Sequence, residues 1–398
     1  MNKSLLVILA LLATTATART VAVDDAMRLI SVSDPQISPD GKSIACVVSR
    51  PNVTEDRYDA EIMLVDVASG KQRTLTYDRK HVSSPRWSVS GDRLAFLADV
   101  ASGKDKDKVA MPQLYVMPMG GGDAMRVTSS PTGVQHFAWR PDGNAFAFVA
   151  NDDTPEKKDR AKYEDAFEVG NLDYLAKESP MSSHVWTINA DGSGAKRLTS
   201  GGWSLPTYEP PGPVPSPLSW SHDGKSLLVT KQETPIYGDN DRTTIQIVDV
   251  ATGASRALTK NAKFESTALF SPDGSRVAYW YPRDGDPNNE NEIFVVPSNG
   301  GESVDATRAI DRSLFRQLWM PDGKSLLVSG HDATSTAIWL QPLAGSPRKL
   351  DLGDLSPSWS FWVDMNVGRD GSVAFTGSGP KARASCTPCP RSMRSRAS

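Results

Sequence analysis

Polarity along the chain follows one beat. A short stretch closes on an aromatic residue, a polar Pro-Asp-Gly or a variant of it follows, and an apolar run comes next. The beat recurs seven times: SPDGKSIACVVS from Ser38, SVSGDRLAFLAD from Ser88, RPDGNAFAFVAN from Arg140, SHDGKSLLVTKQ from Ser221, SPDGSRVAYWYP from Ser271, MPDGKSLLVSGH from Met320 and GRDGSVAFTGSG from Gly368. Trp87, Trp139, Trp220, Phe270 and Trp319 are the aromatics that precede it. In Pro-Asp-Gly, proline presets φ, aspartate bonds nearby backbone N–H groups and glycine accepts positive φ. Such a turn between two apolar runs predicts a β-hairpin and not a helix pair.

A second half-unit follows each of the first six hairpins. IMLVDVASGKQRTLT from Ile62, QLYVMPMGGGDAMRVT from Gln113 and VWTINADGSGAKRLT from Val185 are three copies. TIQIVDVATGASRALT from Thr244, EIFVVPSNGGESVDAT from Glu292 and AIWLQPLAGSPRKLD from Ala337 are the others. Each reads as strand, Gly-rich turn and strand, most of them ending on Thr. The hairpin glycines Gly41, Gly91, Gly143, Gly224, Gly274, Gly323 and Gly371 lie 50, 52, 81, 50, 49 and 48 residues apart. Four strands per period of about 50 residues is one propeller blade. The chain is therefore expected to be all-β, a seven-bladed β-propeller with blades of the Tol and WD-repeat kind, spanning 36–379, with its seventh blade incomplete.

The interval of 81 marks an insertion in blade three, about 156–184, whose first half favours a short helix. A proline-rich segment, 205–217, is too irregular for a strand and is expected to wrap one end of the ring. At the N-terminus, Lys3, the apolar LLVILALL and an A-x-A site at Ala16–Ala18 read as a secretory signal peptide over 1–18, giving a periplasmic or secreted protein. Residues 19–35 form a lead-in segment. No other apolar run is long enough to span a bilayer.

Composition adds little to this. A formal net charge of -3 gives no bulk basic field and argues against nucleic acid as a partner. Cys46 sits in an apolar run and reads as a buried small hydrophobe. Cys386 and Cys389 form a C-x-x-C with no second pair and no nearby His.

A search for chemistry returns no catalytic set. No serine has glycine at both -2 and +2, so there is no nucleophile elbow. His81, His136, His184, His222 and His331 are scattered through the blades without metal-ligand spacing. The acidic loop RDGDPNNENE (283–292) has oxygen ligands but no EF-hand spacing, and YGDNDRTT (237–244) holds the same place one blade earlier, so both read as hairpin loops. No metal or cofactor is expected. On the insertion, Glu164 and Glu168 share one helix face at i, i+4. They are either a solvated face or an anionic patch for a substrate's free amino group.

The order of these features resembles exported bacterial members of the prolyl oligopeptidase family, in the acylaminoacyl-peptidase and dipeptidyl-peptidase-like branch. The likeness rests on VSDPQISPDGK from Val32, the SPDG blades, and DAFEVGNLDYLA from Asp165, and covers about 21–380. It implies that this propeller caps an α/β-hydrolase domain carrying Ser, Asp and His, and that the whole protein hydrolyses short peptides. No catalytic residue carries over to this chain. In dipeptidyl-peptidase relatives a propeller Glu pair holds the substrate amine, a part that Glu164 and Glu168 are candidates to play.

The ending departs from the rhythm. After SVAFTG from Ser372 a strand like EIFVVP is due, and KARASCTPCPRSMRSRAS stands there instead. The codons behind 384–390, read two bases later, permit E-L-Y-x-[LMV]-P. This motivates the expectation that 380–398 is an out-of-frame, disordered tail, leaving blade seven with an unpaired edge beside blade one and the hydrolase missing. Two readings result: a truncated, inactive propeller of an exported serine peptidase, or a stand-alone periplasmic binding module of the Tol-system type.

Overall fold

The computed structural model describes residues 27–99, 111–154, 179–206, 217–358, 363–379 and the strand Ala382–Pro388, with isolated positions at 22, 25, 158, 166, 167 and 169. The signal peptide, the helix placed in the insertion and the distal tail lie outside these residues.

Seven antiparallel sheets follow one another along the chain, at 31–74, 83–126, 136–197, 219–257, 266–305, 314–349 and 356–388. Blades 1–6 are four-stranded meanders in which each strand pairs with the next. In blade 1 these are Ser31–Ile37, Ser43–Asn52, Arg57–Asp66 and Gln72–Thr74. The seven hairpin glycines all have φ between +63° and +78°. Each donates its N–H to the residue three before it, as in Gly41 to the Ser38 carbonyl at 2.8 Å. The sequence repeat is thus a backbone requirement met seven times.

The aromatic before the turn fastens neighbouring blades. The Nε1–H of Trp87 donates to the Gln36 carbonyl of the preceding blade, Trp139 to Arg86 and Trp319 to Leu269, each at 3.0 Å, and Trp220 to Ala138 at 3.4 Å. Phe270 has no such donor, and there its backbone N–H reaches Ser219 Oγ at 3.0 Å. The recurring Thr has a second role. Its Oγ1 accepts the N–H of Ile62, Leu114, Val185 and Ile293 in blades 1, 2, 3 and 5, each at 2.9 Å. In blade 4 the carboxylate of Glu265 replaces it, accepting the Ile245 N–H at 2.8 Å.

The core is divided among the interfaces between blades. Phe96 and Leu94 pack with Ala45, Ile62 and Leu64 between blades 1 and 2, and Phe146 and Phe148 with Leu97, Leu114 and Val116 between blades 2 and 3. Burying each such large side chain contributes about 1.5–3 kcal/mol. Cys46 is buried on the opposite face of its strand from Ala45, with Ile44 and Val48.

Blade seven is three strands wide. Its inner position is split between Ser356–Pro357 and Met365–Val367, both on one edge of Val373–Gly379. Ala382–Pro388 pairs with the other edge, Thr387 opposite Phe375 and Cys386 opposite Thr376. The residues set aside as a tail therefore supply a third strand here. Ladder hydrogen bonds use only backbone groups, so a sequence without the blade's apolar pattern can still occupy the place.

Every strand of blade 1 comes from the N-terminal part of the chain and every strand of blade 7 from the C-terminal part. The ring closes without a shared sheet. Asp34 N–H donates to Asp364 Oδ2 at 3.1 Å, Ile37 N–H to Asn366 Oδ1 at 2.9 Å, and Asn366 Nδ2 to Gln36 Oε1 at 3.2 Å.

Candidate functional site

The innermost strands surround an axial cavity of about 1240 Å³. Its polar lining follows a rule of position. Three residues before the aromatic, or the residue aligned with it, stand Asp34, Ser84, His136, Pro217, Thr267, Arg316 and Asp364 in blades 1–7. All but Thr267 line the cavity. Asp34, Ser84 and Thr267 hold φ of +49°, +56° and +53°, and the strand register shifts at each. These are β-bulges, which re-aim a side chain from the sheet face. Blade 6 has its own register shift between Leu314 and Arg316.

Five charged residues line this channel, Asp34, Arg86, Arg316, Asp364 and Arg369, the last donating Nη2 to the Val89 carbonyl at 2.6 Å. Arg86 Nη1 donates to Asp34 Oδ2 at 2.7 Å and to the Pro85 carbonyl at 2.8 Å. Gln36 Nε2 donates to Asp34 Oδ1 at 2.7 Å. Asp364 takes the Asp34 N–H across the blade 7–blade 1 seam. Arg316 differs: it makes no hydrogen bond or ion pair with a described residue, and its Nε is wholly buried without a partner. Burial pushes its guanidinium pKa down, while Asp364 and Asp34 act through space to hold it up and Arg86 opposes them. The group stays cationic, since Arg is not deprotonated in proteins. The walls near one mouth are apolar, with Leu29 and Ile30 exposed there, and Trp87 and Trp139 line the interior.

Glu164 and Glu168, the candidate amine-binding pair, lie outside the described residues. The histidines stay apart. His136 lines the channel, His81 Nδ1 lies 2.6 Å from Asp99 Oδ2, and His331 packs edge-on against Phe315. His184 is buried beside Thr199 and the Gly201 carbonyl, and burial lowers its pKa. His222 sits in its turn, beside Gly274 of the next blade. Among the described residues no group of His, Cys, Asp and Glu is placed to hold a metal ion.

The two acidic loops are hairpin loops of blades 4 and 5, each with a single 3-10 turn, at Tyr237–Asp239 and Arg283–Gly285. In the second, Arg283 Nε donates to Glu292 Oε1 at 2.7 Å and its Nη1 to Asp311 Oδ1 at 2.9 Å. Glu292 and Asp284 are taken up by Arg283 and Arg308, and Asp286 by Asn288. Burial, then the neighbouring Asp305 carboxyl, pushes Glu292 up to about 7 against the pull of Arg283.

The channel charges were missed in the sequence because their residue types differ from blade to blade. The signal available was positional: a polar residue at the same offset before each aromatic but Trp220, where Pro217 stands.

No family model matches the chain. Over 366 residues it is 24% identical to Dipeptidyl-peptidase 5 of Porphyromonas gingivalis, an alignment covering 87% of this chain and 51% of that protein. It is 34% identical over 160 residues to "Uncharacterized peptidase YuxL" of Bacillus subtilis, covering 39% of this chain and 23% of that one. The chain thus spans about half the length of the first relative and about a quarter of the second. Among solved structures, the acylaminoacyl peptidase of Pyrococcus horikoshii superposes with a TM-score of 0.65 at 16% identity, over 91% of this chain and 52% of that one. The β-propeller domain of the Trilobed protease from Pyrococcus furiosus, described as having an open velcro topology, superposes with a TM-score of 0.58 at 14% identity, over 90% and 93%. With its blades, its unshared seam and these likenesses together, the chain matches the N-terminal propeller of prolyl oligopeptidase-family peptidases.

Proposed function

We propose that this chain is the non-catalytic propeller of an exported serine peptidase of the acylaminoacyl- or dipeptidyl-peptidase-like kind, and that it handles short peptides without cleaving them. The observation that carries the reading is the alignment to Dipeptidyl-peptidase 5 along 87% of the chain. The chemistry is consistent with it. The 398 residues contain no G-x-S-x-G, so the hydrolytic step is assigned to a separate α/β-hydrolase domain. The axial cavity of about 1240 Å³ exceeds the range of about 300–1,000 Å³ usual for small-molecule pockets and suits an extended oligopeptide. Its mixture of apolar mouth, indoles and charges is a peptide-like lining. A stand-alone binding module of the Tol-system type is not favoured, because the curated relatives are peptidases.

The test uses the purified chain. Trp87 and Trp139 line the cavity, so intrinsic fluorescence reports its occupancy. Tripeptides and hexapeptides are expected to change that signal, folded proteins to leave it alone, and aminoacyl and acyl-peptide anilides to remain uncleaved. No response to any peptide, or cleavage by this chain alone, would overturn the reading.

A further inference from the structure

Among the described residues, Arg316 is the cavity cation without a hydrogen-bond partner, Arg369 being held by the Val89 carbonyl. Arg86 is committed to Asp34 and to a carbonyl of its own strand, and each Asp34 carboxylate oxygen accepts one donor, from Arg86 or Gln36. Asp364 is drawn into the seam by the Asp34 N–H. Arg316 is left at the cavity wall with no hydrogen-bond partner among the described residues and its Nε buried. A guanidinium offers five N–H donors in a planar fork. Leaving such donors without acceptors in a half-buried site is costly unless water or a ligand supplies them. A structural arginine normally finds a carboxylate or a run of carbonyls. This one lines the cavity without such a partner among the described residues, on a strand whose register shift lies immediately before it.

We propose that Arg316 is a carboxylate-binding residue, and that it takes the C-terminal carboxylate of a peptide lying in the axial channel. The peptide part of this rests on the function proposed above. The fork suits two parallel N–H···O bonds to one carboxylate. Arg86 and Asp34 pair with each other and Arg369 is held by the Val89 carbonyl, so selection is assigned to the direct contact with Arg316. The apolar mouth at Leu29 and Ile30 and the indoles of Trp87 and Trp139 are left to the rest of the peptide.

The experiment is calorimetric titration of the full chain with a tripeptide acid, the same tripeptide as its C-terminal amide, and succinate. Charge-assisted hydrogen bonds predict that the acid binds about tenfold or more tightly than the amide. R316Q is expected to bring the acid-to-amide affinity ratio down to about one, and R316K to keep part of the preference. Circular dichroism and melting establish that each variant folds. Should R316Q fail to fold, R316K is read in its place, and an acid-to-amide ratio equal to that of the unaltered protein overturns the assignment. Equal affinity for acid and amide refutes the carboxylate site while leaving the peptide reading standing. Succinate binding as tight as the tripeptide acid, lost in R316Q, supports the carboxylate site and refutes the peptide reading. A preference for the acid that survives in R316Q, or no binding of any of the three probes, overturns the assignment.

Discussion

Two glycines provide a controlled measurement of how tightly the blades are packed. Gly70 in VDVASGK and Gly253 in VDVATGA occupy the same turn in blades 1 and 4, at φ +68° and +76°. In both, an aspartate, Asp66 or Asp249, accepts the N–H three residues on, and the glycine N–H returns to that aspartate's carbonyl at 2.8 Å. Placing alanine at either position imposes the left-handed backbone penalty, about 1–2 kcal/mol. The surroundings differ. A Cβ at Gly70 meets nothing within 4 Å, whereas at Gly253 it lies 2.5 Å from the Leu198 carbonyl oxygen of blade 3. That oxygen is backbone and cannot rotate away, so G253A carries an overpacking cost of a further 1–3 kcal/mol or so. For a ring of this size, unfolding entropy converts each kcal/mol into a shift of roughly 1–2 °C. G70A is expected to melt about 1–4 °C below the unaltered protein, and G253A lower again by a similar or larger step. Differential scanning calorimetry of the two variants side by side reads the difference, with unchanged far-ultraviolet circular dichroism as the check on fold. Equal melting shifts would refute the close inter-blade contact at Gly253.

Other substitutions test other parts of the architecture. T128V keeps the shape of a buried side chain but removes the acceptor for the Leu114 N–H and the donor to Gln113 Oε1, and should lower stability by about 1–3 kcal/mol in urea titration; no change in midpoint would mean the repeated Thr is not a structural cap. Glu292 is held protonated by burial and by Asp305 up to about 7, above its unfolded value of about 4.3. The native state then binds a proton that the unfolded state releases, so this group stabilises the fold below about pH 4 and the contribution is lost as pH rises through 7. E292Q should flatten that part of the decline between about pH 4 and 7, and an unaltered pH profile of melting would count against the buried carboxyl pair.

The blades were readable in the sequence because the hairpin turn tolerates little else at Gly41 and its six counterparts, and because the indole of Trp87 or Trp139 must reach a neighbour's carbonyl. Such constraints repeat a residue type at a fixed spacing. The channel had no such constraint. Asp34, Arg316 and Asp364 lie far apart in sequence and meet only when the ring closes, and the offset they share is filled by aspartate, serine, histidine, proline, threonine or arginine according to blade. The last strand was hidden for the opposite reason. Ala382–Pro388 lacks the alternation of a blade strand, yet pairing draws on backbone groups that every residue but proline carries in full.

The unshared seam between blades 1 and 7 bears on the order in which the protein assembles. In a ring whose last sheet borrows its first strand, no terminal blade can finish until the whole chain exists. Here each blade completes itself from hairpins local in sequence, and contacts such as Asp34 to Asp364, 330 residues apart, come last. Blades are then able to form one after another as the chain emerges during synthesis, with a single long closure at the end, which contact-order arguments identify as the slow event. Pulsed hydrogen exchange during refolding should therefore protect the amides of Ile62 and Leu114 before those of Asp34 and Ile37, and simultaneous protection would show that the ring condenses as one unit.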